Sequence, residues 1–373
     1  MEKFIVLIII FLAGVKAQAL PVSYDLRAES RISQINISGD SGSDSWAVAA
    51  VGALESNFMT QYHDTSINLS QKNLILNAQE FNDEFTTTAI LSRMPELYNL
   101  RLKSVYYMSR FMPFDPDFIS TETRKKLIMN HGAIYAGIYL DSGKFDQRGK
   151  FITYFNNSHG RNINLNVLII GWDDNFPLHY FTPRPAQKGA WLIKANNKYF
   201  WTPYEQNIRG GAAFILEKFN PDTRIYLHDK LGYNESIKFS WAANIFRVRE
   251  DLEYFSEAAF YTPLNNMNWD LYFYECGNIC PDSPVSGIMK AHLSGKFELA
   301  GYHTVKFPEK ISLWQGEYFA VVLKLGRVIM PVSYSGDNII ERESYFSEDG
   351  QKWQDGANFN FNACIKAFTV IQE

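Results

Sequence analysis

The residues best suited to chemistry are few and unevenly spread. Cys276, Cys280 and Cys364 are the only thiols, and everything before Cys276 has none. In an oxidising compartment two of the three can pair, Cys276 with Cys280 being the more local option, but spacing alone leaves the connectivity open. Zinc would want four ligands, and no histidine stands at ligand spacing from the Cys-x-x-x-Cys pair, so no metal is expected. His63, His131, His179, His228, His292 and His303 form no spaced cluster and read as ordinary surface or core residues. A Ser/Asp/Gly-rich loop from Ser38 to Ser45 ends just before an apolar-periodic run, placing Asp44 and Ser45 where a helix begins.

The elements that must hold these groups are legible in outline. From Trp46 to about Gln61, Val48, Val51, Leu54, Phe58 and Met59 recur at three- and four-residue spacing, which predicts an amphipathic helix. Ser120-Thr121-Glu122-Thr123 supplies a capping start for a second helix to about Met129. Short β-branched or aromatic runs follow at 134–139, 167–170, 190–193, 198–201 and 213–216, and read as strands. Residues 220–239 are polar and turn-rich, and are read as a linker. Beyond them, runs at 242–248, 258–261, 269–274, 302–307, 318–325 and 365–370 predict an all-β sandwich or jelly roll.

The chain has 373 residues, 46% apolar and 20% charged, with a net charge of −4. That length argues for two domains, and the balance excludes disordered and disulfide-scaffold classes. No Lys/Arg run is present to neutralise a phosphate backbone, so nucleic acid is not an expected partner. Lys3, the apolar stretch Phe4 to Ala13 and the small residues up to Ala19 read as a secretory signal peptide, too short for a bilayer crossing, and no later segment is long and apolar enough to span. The protein is therefore expected outside the cytoplasm: secreted, periplasmic or cell-surface. Sequons at Asn36, Asn68, Asn156 and Asn234 fit such a surface if the host glycosylates asparagine.

Two motifs carry a specific resemblance. Leu20-Pro-Val-Ser-Tyr-Asp-Leu-Arg27, followed by Gly39-Asp-Ser-Gly-Ser-Asp-Ser-Trp-Ala-Val-Ala-Ala-Val-Gly-Ala-Leu-Glu55, is similar to the mature start of the papain-like cysteine peptidases. Asn164-Leu-Asn-Val-Leu-Ile-Ile-Gly-Trp-Asp-Asp174 and Gly189-Ala-Trp-Leu-Ile-Lys194 resemble the family's later strands. The resemblance implies an α+β fold with a helical half and a β-barrel-like half. It also implies a nucleophilic cysteine at a helix N-terminus, a histidine base, an asparagine that orients the base and an oxyanion-hole glutamine. At those places this sequence has Asp44 or Ser45 for the cysteine, Leu165 for the histidine and Ser38 for the glutamine; the asparagine is Ala195 or has gone with the deletion of the loop that follows it in the family. A serine version would need a base, and His159, shortly before Leu165, is the nearby candidate.

From 222 onward the chain resembles the lectin-like domain found fused to such peptidases, through segments that include Gly301-Tyr-His-Thr-Val305 and Phe319 to Leu325. The resemblance implies a β-sandwich after residue 240. It also implies carbohydrate binding, for which Trp269, Tyr272, Trp314 and Trp353 are candidate platforms.

The expected organisation is a signal peptide at 1–19, a papain-like domain at 20–219, a linker at 220–239 and a lectin-like β-sandwich at 240–373. The expected function is that of a secreted pseudopeptidase without cofactor, which binds a peptide, protein or glycan through a cleft lined by Trp46, Trp172 and Trp191 and through the sandwich. The alternatives are a residual hydrolase with Ser45 as nucleophile, and a structural or adhesive surface protein. The sequence does not fix the oligomeric state.

Overall fold

The computed structural model describes residues 19–33, 45–70, 72, 74–75, 99–107, 119–156, 162–195, 198–230, 232–334 and 339–371. They divide into two compact units, one within Lys16–Thr87 and Glu96–Glu217, the other within Lys218–Glu373.

The first unit sets two helices, α1 (Ser45–Tyr62) and α2 (Thr121–His131), against a sheet. Its strands are β1 (Ser23–Asp25), β2 (Leu100–Tyr107), β3 (Ile134–Ile138), β4 (Phe145–Arg148), β5 (Phe151–Tyr154), β6 (Leu165–Asp173), β7 (Ala190–Ala195), β8 (Lys198–Pro203) and β9 (Ile208–Lys218). They run in the order β2-β9-β3-β6-β7-β8-β5-β4, with β1 against β6.

Helix α1 departs from the amphipathic expectation. From Ala47 to Met59 every residue is buried, so it has no solvent face over that stretch. A helix enclosed on all sides must satisfy its polar groups internally. Ser56 Oγ donates to Arg31 O at 2.7 Å and accepts from Ala133 N at 2.8 Å. Asn57 Nδ2 donates to His131 O at 2.9 Å, while its Oδ1 accepts from Leu216 N at 2.8 Å. Helix α2 starts as its residues predict, with Ser120 Oγ accepting from Thr123 N at 3.1 Å.

The second unit is all β among its described residues, apart from a short 3-10 turn at Gly356–Phe359. One layer is β10 (Thr223–Tyr226), β22 (Ile365–Ile371), β13 (Glu253–Thr262) and β16 (Gly301–Leu313), in that order. A six-stranded layer runs β15 (Ile288–Phe297), β14 (Met267–Gly277), β17 (Tyr318–Leu325), β12 (Trp241–Arg247), β19 (Ser344–Ser347) and β20 (Gln354–Asp355). A third, small sheet joins β11 (Glu235–Ile237), β18 (Met330–Ser333) and β21 (Asn362–Ala363).

Phe255 and Phe260 of β13 meet Leu271 and Phe273 of β14 and Phe319, Val321 and Leu323 of β17 in one apolar core. Alternate residues of the facing strands supply it, as a sandwich requires. Residues 220–239, whose turn chemistry reads as a linker, hold β10 and β11 instead, both paired within this unit. The turn residues flank those strands, Asn220 to Asp222 before β10 and Gly232 to Asn234 before β11.

Candidate functional site

Ser45 opens α1 and is buried at 5% exposure. Its Oγ accepts a hydrogen bond from Asn166 N at 3.2 Å, which ties the helix N-terminus to β6. Leu165, the preceding residue of β6, pairs with Ile138 of β3 and is partly exposed. Asn166 Oδ1 accepts from the Tyr135 hydroxyl at 2.9 Å. Ala195 is the last residue of β7, one position past Lys194, which pairs with Leu168 of β6. The fold thus brings Ser45 beside the start of β6, as the motifs imply. Ser38, Asp44, Asn36 and His159 lie outside the described residues.

The two strand tryptophans do not line a cleft. Trp172 and Trp191 face each other across β6 and β7 at 0% and 1% exposure. The Trp172 indole N–H donates to Pro21 O at 3.1 Å, and Lys125 lies over its ring. Arg124 lies over the Trp191 ring, so α2 covers this pair and assigns it to the core. Of the three expected cleft residues, Trp46 alone keeps partial exposure.

Within α1 lies a buried charged group that motif reading did not single out. Glu55 Oε1 accepts from Leu69 N at 2.7 Å, and its Oε2 accepts from the Ser33 hydroxyl. Lys194 Nζ donates to Ser33 O at 2.5 Å. Burial pushes the Glu55 carboxyl up from its ordinary value and lowers Lys194 to about 8, each partly offset by the other's charge. Buried groups bonded to backbone in this way hold the segment at Ser33 against α1 rather than face a ligand. The signal that could have found them is a glutamate and a lysine inside two otherwise apolar runs. His131, half-buried at the end of α2, packs on Tyr106, and burial lowers it to about 4.

In the second unit the aromatic candidates separate by face. Trp269 is in the core at 8% exposure. Tyr272 lies on the opposite face of β14, stacked on His292 with ring centroids 4.2 Å apart. Trp353 is half-buried against a smaller cluster that includes Tyr345 and Trp241. Trp314 is 56% exposed and is the most open of the four. Cys276 and Cys280 are half-buried, and Cys364 is buried; all three are free thiols in this structure. Among the described residues no group of acidic, histidine or cysteine side chains is arranged to hold a metal.

The sequon asparagines also differ. Asn68 is exposed, whereas Asn156 is buried at 5%, with its backbone N–H on Gln206 Oε1 at 2.9 Å, and cannot present its amide to a glycosyltransferase in the folded state. The Asn234 side chain bonds both ways to the Tyr334 backbone, at 3.0 and 2.8 Å.

The fold is that of a papain-type peptidase unit followed by a lectin-like domain. Residues 20–84 match the family profile described as papain family cysteine protease, and residues 225–369 match the lectin like domain. The first match ends before Leu165 and Ala195. The clostridial cysteine protease Cwp84 after propeptide cleavage superposes with a TM-score of 0.77 at 19% identity, over 94% of this chain and 99% of that one. The cysteine protease and lectin-like domains of Cwp84, described as a surface-layer associated protein of Clostridium difficile, give 0.75 at 19% identity, over 95% and 90%. At that identity the likeness concerns the fold. No curated protein sequence matches the chain. No helix among the described residues is long and apolar enough to cross a membrane.

Proposed function

We propose that this protein is a secreted, non-catalytic member of the papain-type fold, which acts by binding a peptide, protein or glycan. The observation that carries this reading is the composition of the Ser45 site. The resemblance calls for a thiol at Asp44 or Ser45; Ser45 puts a hydroxyl at the head of α1, and its one hydrogen bond among the described residues comes from the Asn166 N–H, a donor that can take no proton. Leu165 and Ala195 offer neither a base nor an orienting amide. The hydroxyl of serine needs a base to become a nucleophile, and loss of a triad base costs orders of magnitude in rate.

The apolar leader and the surface-layer association of Cwp84 support a place outside the cell. The lectin-like unit, with exposed Trp314, is the better candidate for glycan contact, because an indole face stacks on a sugar ring.

The test is hydrolysis of a mixed peptide library by the purified chain, beside Ser45→Ala and the combined Ser45→Cys, Leu165→His, Ala195→Asn variant. The expected result is no turnover by the natural chain or Ser45→Ala, with a gain of thiol reactivity in the combined variant. Turnover by the natural chain that Ser45→Ala abolishes would sink the reading in favour of a serine hydrolase.

A further inference from the structure

We propose that Cys276 and Cys280 are joined by a disulfide in the folded protein, closing a ring over residues 276–280, while Cys364 remains a free thiol. The proposal extends the extracellular reading above, but it is carried by the geometry of the β14 end. Strand β14 stops at Gly277, whose φ of +73° starts the turn that separates Cys276 from Cys280, four residues on. The segment at Cys280 is clamped from another part of the unit. Arg342 Nη2 donates to Cys280 O at 3.0 Å, Pro281 O at 3.3 Å and Asp282 Oδ1 at 2.7 Å. Arg342 is itself held by its backbone N–H on Asp355 Oδ2 at 2.7 Å.

The two thiols sense each other: burial, and then the neighbouring Cys280, push Cys276 up to about 11. Both are partly exposed, so an oxidant can reach them. Cys364 differs in its access to solvent. It is 2% exposed, beside the fully buried Asp229, and burial keeps its thiol well above the usual range and neutral. A neutral, inaccessible thiol is inert to exchange.

The reaction requires a disulfide oxidant such as glutathione disulfide. One protein thiolate attacks a glutathione sulfur, releasing one glutathione thiol and leaving a mixed disulfide. The second protein thiolate then attacks the protein sulfur of that bond and releases the second glutathione thiol. The protein pair loses two electrons and two protons, and one S–S bond forms.

The test uses the full chain equilibrated in a mixture of reduced and oxidised glutathione, then blocked with N-ethylmaleimide after unfolding without reductant. Because the oxidant is supplied, the outcome does not depend on where the protein resides. The expected result is a single maleimide adduct, at Cys364, and three adducts once the protein is reduced first. The intact oxidised chain should be lighter than the reduced one by two hydrogens, and peptide mapping should return 276 linked to 280. Cys276→Ser should leave Cys280 as an adduct or a glutathione conjugate. Three adducts without reduction, a link to Cys364, or a disulfide dimer on a non-reducing gel would each overturn the proposal.

Discussion

The Ser45 hydroxyl accepts a hydrogen bond from the backbone N–H of Asn166, 121 residues further along the chain. The bond joins the first turn of α1 to the first turn-in of β6, the two places where the peptidase resemblance would put nucleophile and base. The hydroxyl serves in it as acceptor, so its own proton would still have to pass to a base, and the residue beside Asn166 on β6 is Leu165, which can take none.

Ser45→Ala removes that acceptor and leaves the Asn166 N–H without it in a poorly solvated place. The expected loss is about 1–3 kcal/mol, the cost of an unsatisfied buried donor. Urea unfolding should show a lower midpoint with an unchanged slope, while peptide hydrolysis stays at the natural chain's baseline. A stability change near zero would mean that water replaces the hydroxyl.

Gly171 is a packing glycine. It pairs with Asp25 of β1 and Leu192 of β7, and a Cβ there would stand 2.2 Å from the Tyr24 carbonyl oxygen. Because the obstacle is backbone, relief requires β1 to leave β6. Gly171→Ala should cost about 1–3 kcal/mol, as overpacking does. Limited proteolysis should then cut first near residues 19–26. Equal protection of that segment in both proteins would contradict the expectation.

Much of this architecture was legible in the sequence, and the failures have physical causes. The strands around Val167, Trp191, Phe319 and Ile365 announced themselves because buried β-branched and aromatic runs have few alternatives. Strand β15 was missed although Ala291, Leu293 and Phe297 alternate with Lys290, His292, Ser294 and Lys296, because Ile288–Phe297 is exposed along most of its length and has no β-branched or aromatic residue between its ends. The α1 period identified a helix but overstated its solvent face, since Ser56 and Asn57 look like surface residues until their partners Arg31, Ala133, His131 and Leu216 are known. The Ser45 neighbourhood followed from motif order alone. Burial of Trp172 and Trp191 did not, because it depends on α2 and on Pro21, which are distant in sequence.

His303 gives a pH dependence with a definite sign. It is 2% exposed, with Nε2 2.9 Å from Thr262 Oγ1 and its ring stacked on Phe297, and burial lowers it to about 3. The unfolded chain, with an ordinary value near 6.5, binds a proton as pH falls below that value while the folded chain does not. Stability is therefore lost on acidification between about 6.5 and 3, by at most about 1.4 kcal/mol per pH unit from this group. His303→Gln should flatten that part of the curve of urea midpoint against pH. An identical slope in the variant would remove His303 as the cause.

The buried pair Lys366 and Asp229 tests what holds the lectin-like unit together. Their Nζ and Oδ2 are 2.7 Å apart at 1% and 0% exposure, linking β22 to the segment after β10. The second carboxylate oxygen of Asp229 has no hydrogen bond, and burial raises the carboxyl above its ordinary value against the pull of Lys366. Removing one partner strands the other charge in an apolar place. Lys366→Met alone should therefore cost about 3–5 kcal/mol. Pairing it with Asp229→Leu removes both desolvation penalties, so the double variant should recover most of the loss and could exceed the natural chain. A double-mutant cycle read by chemical unfolding measures the coupling. Additive losses would mean that the two groups are not coupled, and would overturn the expectation that each offsets the other's burial.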